Sequence, residues 1–148
     1  MATKVNIKKL YADSKMPTRG SEYAAGYDVY ARLEEDSIDI LPHTTIKVGT
    51  GVAIQPPKDT FGAVFARSGL ATKQGLRPAN CVGVCDYDYT GEYIVALHND
   101  SEETRTINNG DRIAQVVFIP YVNVIFNEVE ELEETERGDS GFGSTGTN

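Results

Sequence analysis

Cysteine, basic residues and long apolar runs are all scarce in this chain, and each scarcity excludes something. There are only two cysteines, Cys81 and Cys85. On one strand they would stand roughly 13 Å apart, at about 3.3 Å per residue, too far for a disulfide. No matching Cys or His pair occurs elsewhere, so a zinc site is not expected and both thiols are expected to be buried and structural. No apolar stretch approaches membrane-spanning length, and Met1-Ala2-Thr3-Lys4 leads into alternating residues rather than a signal-peptide core. The expected location is therefore the cytoplasm or nucleus, with no membrane partner. Lys and Arg number 14 against 22 Asp and Glu, giving a net charge of -8 and a pI near 4.7. Such a surface repels phosphate polymers, so nucleic acid is not an expected partner. A small anionic ligand is compatible with it, provided a few Arg residues and a divalent cation supply local positive charge.

What is present reads as short strands. At 148 residues the chain holds one hydrophobic core and is too short for two ordinary domains. Runs at 5–10, 37–40, 44–48, 52–55, 61–66 and 104–107 have Gly, Pro, Asn or Asp close to many of their ends. The clearest strand is 92–98, where Tyr93, Val95 and Leu97 share one face and Ile94 and Ala96 the other. The pattern predicts an all-β fold: a sandwich, jelly roll or barrel. The stretch 113–119 is almost continuously apolar, which predicts cover on both faces; a subunit interface is one way to provide it. Residues 68–74 are the one expected helical segment, with Gly75 as its stop. Beyond 123–129 come an acidic stretch and a glycine-rich tail with too few apolar residues to order themselves. The organisation expected is a single β domain over 1–129, followed by an acidic linker and C-terminal arm over 130–148. No internal repeat is present.

Three segments carry chemistry-bearing residues, each with a plainer alternative. In the tail, glycines allow close backbone approach to phosphate, Arg137 adds charge, and Phe142 offers a face for stacking; disorder is the plainer reading. A P-loop is excluded there, because Ser144 stands where the lysine belongs and no strand precedes it. In Ala66-Arg67-Ser68-Gly69-Leu70-Ala71, a guanidinium, a hydroxyl and free N–H groups at a helix start suit one anion; a surface Arg with an N-cap Ser is the alternative. Asn80 to Glu92 reads as strand, turn with two aspartates, and return strand. Hairpin backbone can read a base edge and Asp86 can hold a water, although an acidic turn needs no such role.

Taken with Ala25-Gly26-Tyr27-Asp28 and Gly110-Asp111-Arg112-Ile113-Ala114-Gln115, these segments resemble the five ordered motifs of the trimeric dUTPases. The likeness spans Ala25 to Gly146. It implies a jelly-roll-like subunit and a homotrimer whose active sites are shared between subunits. The implied reaction is magnesium-dependent hydrolysis of dUTP at the α-phosphorus, giving dUMP and diphosphate. By matching position, Asp86 would orient and deprotonate the water. Arg67, Ser68, Gly69, Gln115, Arg137, Gly143, Ser144 and Thr145 would contact phosphate. Asn80, Gly83, Val84, Cys85, Tyr89 and Phe142 would contact base or sugar, and Asp28 would help hold Mg2+ through water. The arm would close over the site and exclude water.

Some positions depart from commoner residues of the family: Cys85 stands where an aliphatic is usual, Thr90 where Arg often occurs, and His98 where a large aromatic is frequent. His43 and His98 are expected to be structural, since this chemistry needs no imidazole. Three other readings compete. A dCTP deaminase relative shares the fold and would release ammonia. A nucleotide-sensing regulator would bind dUTP without turnover. A purely structural β-trimer leaves Arg67, Asp86 and the tail unexplained.

Overall fold

In the computed structural model, which describes residues 3–139 and 141, the alternation at 92–98 becomes the strand Glu92–Asn99, with Tyr93, Val95, Leu97 and Asn99 buried and Ile94 outward. It is β8. The first sheet runs β1 (Asn6–Lys9), β4 (Thr45–Gln55), β8 and β6 (Leu76–Pro78), in that order. The second runs β2 (Tyr27–Tyr30), β10 (Arg112–Pro120), β5 (Thr60–Phe65) and β7 (Gly83–Cys85), and β3 (Ser37–Ile40) pairs with β9 (Arg105–Asn108). Every pairing is antiparallel. All three sheets feed one core, with Val29 and Val116 from the second, Val48 and Leu97 from the first, and Ile40 and Ile107 from the third. The expected all-β, jelly-roll-like class is therefore observed, as open sheets rather than a closed barrel. No described helix is long and apolar enough to cross a membrane.

The single helix among the described residues, α1 (Ser68–Gln74), has the expected bounds. Gly75 stops it at φ 69°, and its N–H donates to the Leu70 carbonyl. Only a residue without Cβ takes that left-handed cap cheaply.

Two expectations are corrected. The runs 44–48 and 52–55 are one strand, β4, interrupted by a bulge between Gly49 and Ala53. Gly51 turns the chain there at φ 69°. Its N–H, diverted from the ladder, donates to Glu92 Oε1 at 2.7 Å, while the buried Thr50 hydroxyl donates to the Tyr93 carbonyl at 2.6 Å. The bulge is thus tied to β8 by side-chain bonds, and its Gly49 and Gly51 carbonyls accept the Arg32 and Leu10 N–H groups, which is why the sequence looked broken and the strand is not. The second correction concerns 80–92. It is not a paired hairpin: β7 pairs with β5, matching Gly62 to Cys85 and Val64 to Gly83, while β8 pairs with β4 and β6 in the other sheet. The two-aspartate turn therefore bridges the sheets. Beyond Pro120 the described residues form no strand or helix, and Val122, Ile125 and Phe126 are 82%, 97% and 94% exposed.

Where β6 meets β8, Arg77 grips Asp100 with two bonds, Nε to Oδ2 at 2.6 Å and Nη2 to Oδ1 at 3.0 Å. That fork holds the Asp100 carboxyl below the usual carboxylate range, against an opposing effect of desolvation, with His98 and His43 assisting. A depressed carboxylate stabilises the fold above its unfolded pKa, about 3.9, and that contribution disappears as pH falls through the lower folded value. Arg77→Met is therefore expected to flatten the acid limb of the melting-temperature profile below about pH 4. The fork is exposed and salt will screen it, so a shift that grows with added salt would contradict the assignment.

Candidate active site

The central strand of the second sheet builds the first cluster. In register, Gln115 of β10 lies opposite Asp28 of β2 on one side and Phe65 of β5 on the other. The chain leaves β5 through Arg67, the residue capping α1, so the helix start returns a guanidinium over the sheet. Arg67 Nε donates to Asp28 Oδ1 at 2.9 Å and Arg112 Nη1 to Asp28 Oδ2 at 3.2 Å. Asp28 is 15% exposed, Arg67 26% and Arg112 51%. Two cations on one carboxylate leave the cluster net positive within a strongly acidic protein. Gln115 Nε2 donates to the Ala66 carbonyl at 2.9 Å. Its Oε1 packs against Gly26 so closely that a side chain there would have to displace the Gln115 amide. Asp28, Ala66, Gln115 and Gly26 line an open cavity of about 610 Å³. Ser68 and Gly69 are exposed beside Arg67, and nothing stands within 4 Å of a Cβ at Gly69. Backbone can meet a ligand there.

The second cluster stands on β7 and the bridge that follows it. β7 is an edge strand, with β5 on one side and no strand on the other, so its outer N–H and C=O groups can pair with a ligand edge. Val84 is 59% exposed, Cys85 is half-buried, and Asp86 is exposed at the strand end. The Tyr89 N–H donates to the Asp86 carbonyl at 3.2 Å and the Tyr89 hydroxyl to the Glu92 carbonyl at 2.8 Å. Asn80, Gly83, Val84, Cys85, Asp86 and Tyr89 all line one cavity of about 240 Å³. Its inner wall is Tyr93, 2% exposed, whose buried hydroxyl lies beside the Cys85 thiol and makes no well-formed hydrogen bond among the described residues. Burial pushes the Tyr93 phenol well above its ordinary pKa, and it also raises the Cys85 thiol, which the Tyr93 hydroxyl partly offsets. The two cavities share no lining residue. One chain therefore brings Asp28 and Gln115 to one cavity, with Arg67 bonded to Asp28, and Asn80, Gly83, Val84, Cys85, Asp86 and Tyr89 to another, while Cys81 of the same segment reaches the first.

Cys81 corrects the expectation of two buried thiols. It is exposed, in a left-handed turn at φ 61°, and its sulfur lies 3.7 Å from Arg77 Nη1. A residue inside that turn has no core face to occupy; Cys85, on β7, is partly buried as a strand residue should be. His43 and His98 lie apart from both clusters, bonded to Glu102 and to Thr45 and Asp100. Arg137 is exposed beyond the acidic stretch, and Phe142, Gly143, Ser144 and Thr145 lie outside the described residues.

Sequence reasoning passed over Arg112 and considered Glu92 only as an acidic neighbour of Asp86, although both stand inside segments it singled out. A charged residue at the first position of a long strand was the available signal for each. The Gly110-Asp111 pair beside Arg112 is structural. Gly110 turns at φ 85°, and Asp111 Oδ2 accepts the Asn108 N–H at 2.8 Å to close the β9–β10 turn.

A magnesium ion can be tested against these donors. Among the described residues no three His, Cys, Asp or Glu side chains converge on one point, and both Asp28 oxygens already accept from guanidiniums. Such a set cannot cage a metal, but it fits a cation that arrives on phosphate oxygens and keeps most of its water.

Comparison with known proteins bears on the whole chain. The family model described as dUTPase matches residues 12–146. A deoxyuridine 5'-triphosphate nucleotidohydrolase of Desulfitobacterium hafniense is 47% identical over 146 residues, 97% of this chain and 96% of the relative. One from Candida albicans is 47% identical over 136 residues, 90% of this chain and 82% of the relative. Among solved structures, a dUTPase of Staphylococcus bacteriophage 80alpha with dUpNHpp superposes at a TM-score of 0.89, with 28% identity, covering 99% of this chain and 100% of its own.

Proposed function

We propose that this chain, which belongs to the dUTPase family and is therefore a hydrolase acting on dUTP, attacks its substrate at the α-phosphorus with magnesium present. The products are dUMP and diphosphate, which supplies dUMP for thymidylate synthesis and keeps uracil out of DNA. The observation that carries this reading is Asp86 at the rim of a nucleoside-sized cavity walled by the open edge of β7 and by Tyr89. Asp86 accepts a proton from water as the water oxygen bonds to the α-phosphorus; the bond to the α–β bridging oxygen breaks, and diphosphate leaves with the electron pair. An ordinary aspartate is a weak base, with a pKa of about 3.9, so much of its effect comes from holding the water in line.

Uracil offers an acceptor at O4 and a donor at N3, which the outer N–H and C=O groups of Gly83, Val84 and Cys85 complement, with Asn80 alongside. Cytosine reverses both, and each buried group left unpaired costs about 1–3 kcal/mol. Tyr89 lies against deoxyribose and leaves no room for a 2′-hydroxyl. Arg67, Ser68, Gly69 and Gln115 hold phosphate, and Arg137, Gly143, Ser144 and Thr145 of the arm add to them while Phe142 stacks on the base. Magnesium on the phosphates would supply charge neutralisation, and Asp28 would hold it through water.

Two separate half-sites support a homotrimer in which another copy completes each site. So do the exposed Val122, Ile125 and Phe126 and the half-buried outer residues Val117 and Ile119 of β10. Light scattering that gave a stable monomer at assay concentration would sink the shared site. The direct test is product analysis with dUTP, dCTP, dTTP and UTP, with and without magnesium, in isotopically labelled water. Label in dUMP, from dUTP alone and only with magnesium, is the expected result; label in diphosphate, or ammonia from dCTP, overturns the reading.

A further inference from the structure

We infer that Glu92 is a positioning residue that locks the Asp86–Tyr89 turn to the β4 bulge and thereby sets discrimination against ribose; this rests on the function proposed above. Glu92 is the first residue of β8, lies opposite Ala53 across the bulge, and is half-buried. It is held at both ends. Its side-chain Oε1 accepts the Gly51 N–H at 2.7 Å, in a slot so close that a Cβ at Gly49 would fall 2.6 Å from the same oxygen. Its main-chain carbonyl accepts the Tyr89 hydroxyl at 2.8 Å. Next along the strand, the Thr50 hydroxyl fixes the Tyr93 carbonyl at 2.6 Å. The start of β8 is therefore pinned to β4 by two bonds outside the ordinary ladder.

The consequence runs outward through Tyr89. Its ring is packed over Gly91, where a Cβ would fall 2.6 Å from the phenol oxygen, and the bond to Glu92 holds it there. The Tyr89 N–H in turn holds the Asp86 carbonyl at 3.2 Å. The turn is otherwise exposed, with Asp86, Tyr87, Asp88, Tyr89 and Thr90 all open to solvent. With so little packing to hold it, its conformation depends on the bonds that tie it down. Those bonds end on Glu92, which also lines the cavity that Asp86 and Tyr89 share. Glu92 needs to touch neither base nor phosphate to act; it keeps the sugar-facing ring at a fixed height.

The test compares Glu92→Ala and Glu92→Gln in the full-length protein, reading kcat and KM for dUTP and for UTP. Gln retains an acceptor for the Gly51 N–H, so it should keep the dUTP-over-UTP ratio of kcat/KM within about twofold of wild type. Ala is expected to lower that ratio by about tenfold or more, chiefly through a gain in UTP turnover. Tyr89→Phe guards against a merely unfolded Ala variant. It leaves the bulge intact and cuts only the phenol–carbonyl bond, and its discrimination should relax with an unchanged melting temperature. A purely structural role for Glu92 predicts a lower melting temperature with the ratio unmoved in both variants, and that result overturns the inference. Wild-type protein inert toward dUTP would instead overturn the proposed function, so the two failures are distinguishable.

Discussion

Asp86→Asn is expected to lower kcat for dUTP by about 10²–10⁴-fold, the range of a lost general base, with KM changed only a few-fold. The substitution removes charge and proton affinity and little else. Asp86 is exposed at the end of β7, its side chain makes no hydrogen bond among the described residues, and its link to Tyr89 runs through the main-chain carbonyl. An amide of the same shape leaves the turn, the cavity wall and the β7 edge in place. Binding of a non-hydrolysable dUTP analogue, measured by calorimetry, should therefore survive while turnover collapses. The reverse pattern, weak binding with kcat intact, would assign Asp86 to nucleotide binding and leave the base unidentified. Arg67→Lys makes the complementary case on the other cluster. Lysine keeps the charge but cannot donate to Asp28 through one N–H while presenting the rest of a guanidinium to phosphate, so KM should rise more than kcat falls.

The parts of the fold legible in the sequence were those specified by neighbours in the chain. The alternation of Tyr93, Val95 and Leu97 marked β8 because one face of that strand is buried and the other is not. Gly75 marked the end of α1 because a left-handed cap favours glycine over other residues. What stayed hidden was pairing between distant segments. Asn80 to Glu92 has the local pattern of a hairpin, yet Gly83 to Cys85 find better partners at Gly62 to Val64, and nothing within the segment records that choice. The bulge in β4 was invisible for a related reason: Gly51 reads as a break until Glu92, 41 residues away, takes its N–H. In the site, motif resemblance pointed to the residues that meet substrate in the proposed mechanism. The ones that hold those residues in place, Arg112 and Glu92, act through three-dimensional contacts that no short spacing encodes.

Gly62→Ala should destabilise the protein by about 1–3 kcal/mol, the cost of overpacking a filled core, and Tyr93→Phe should restore most of it. A Cβ at Gly62 would lie 2.6 Å from the Tyr93 hydroxyl and 3.3 Å from Cε2 of the ring. The ring cannot swing aside, because Tyr93 is 2% exposed and its carbonyl is bonded to Thr50. Removing the hydroxyl removes the hardest contact. By itself Tyr93→Phe should be near neutral, since that hydroxyl is buried, lies beside the Cys85 thiol and makes no well-formed hydrogen bond among the described residues. The double-mutant cycle, followed by urea unfolding at one fixed protein concentration, is expected to show a favourable coupling of about 1–2 kcal/mol. Additive effects would mean that β5 yields instead of the ring. That outcome would reach the site as well: Gly62 is the register partner of Cys85, so a displaced β5 carries the base-facing edge of β7 with it. The KM for dUTP in Gly62→Ala separates the cases. It stays near wild type if the ring absorbs the strain, and rises, unrescued by Tyr93→Phe, if the strand has moved.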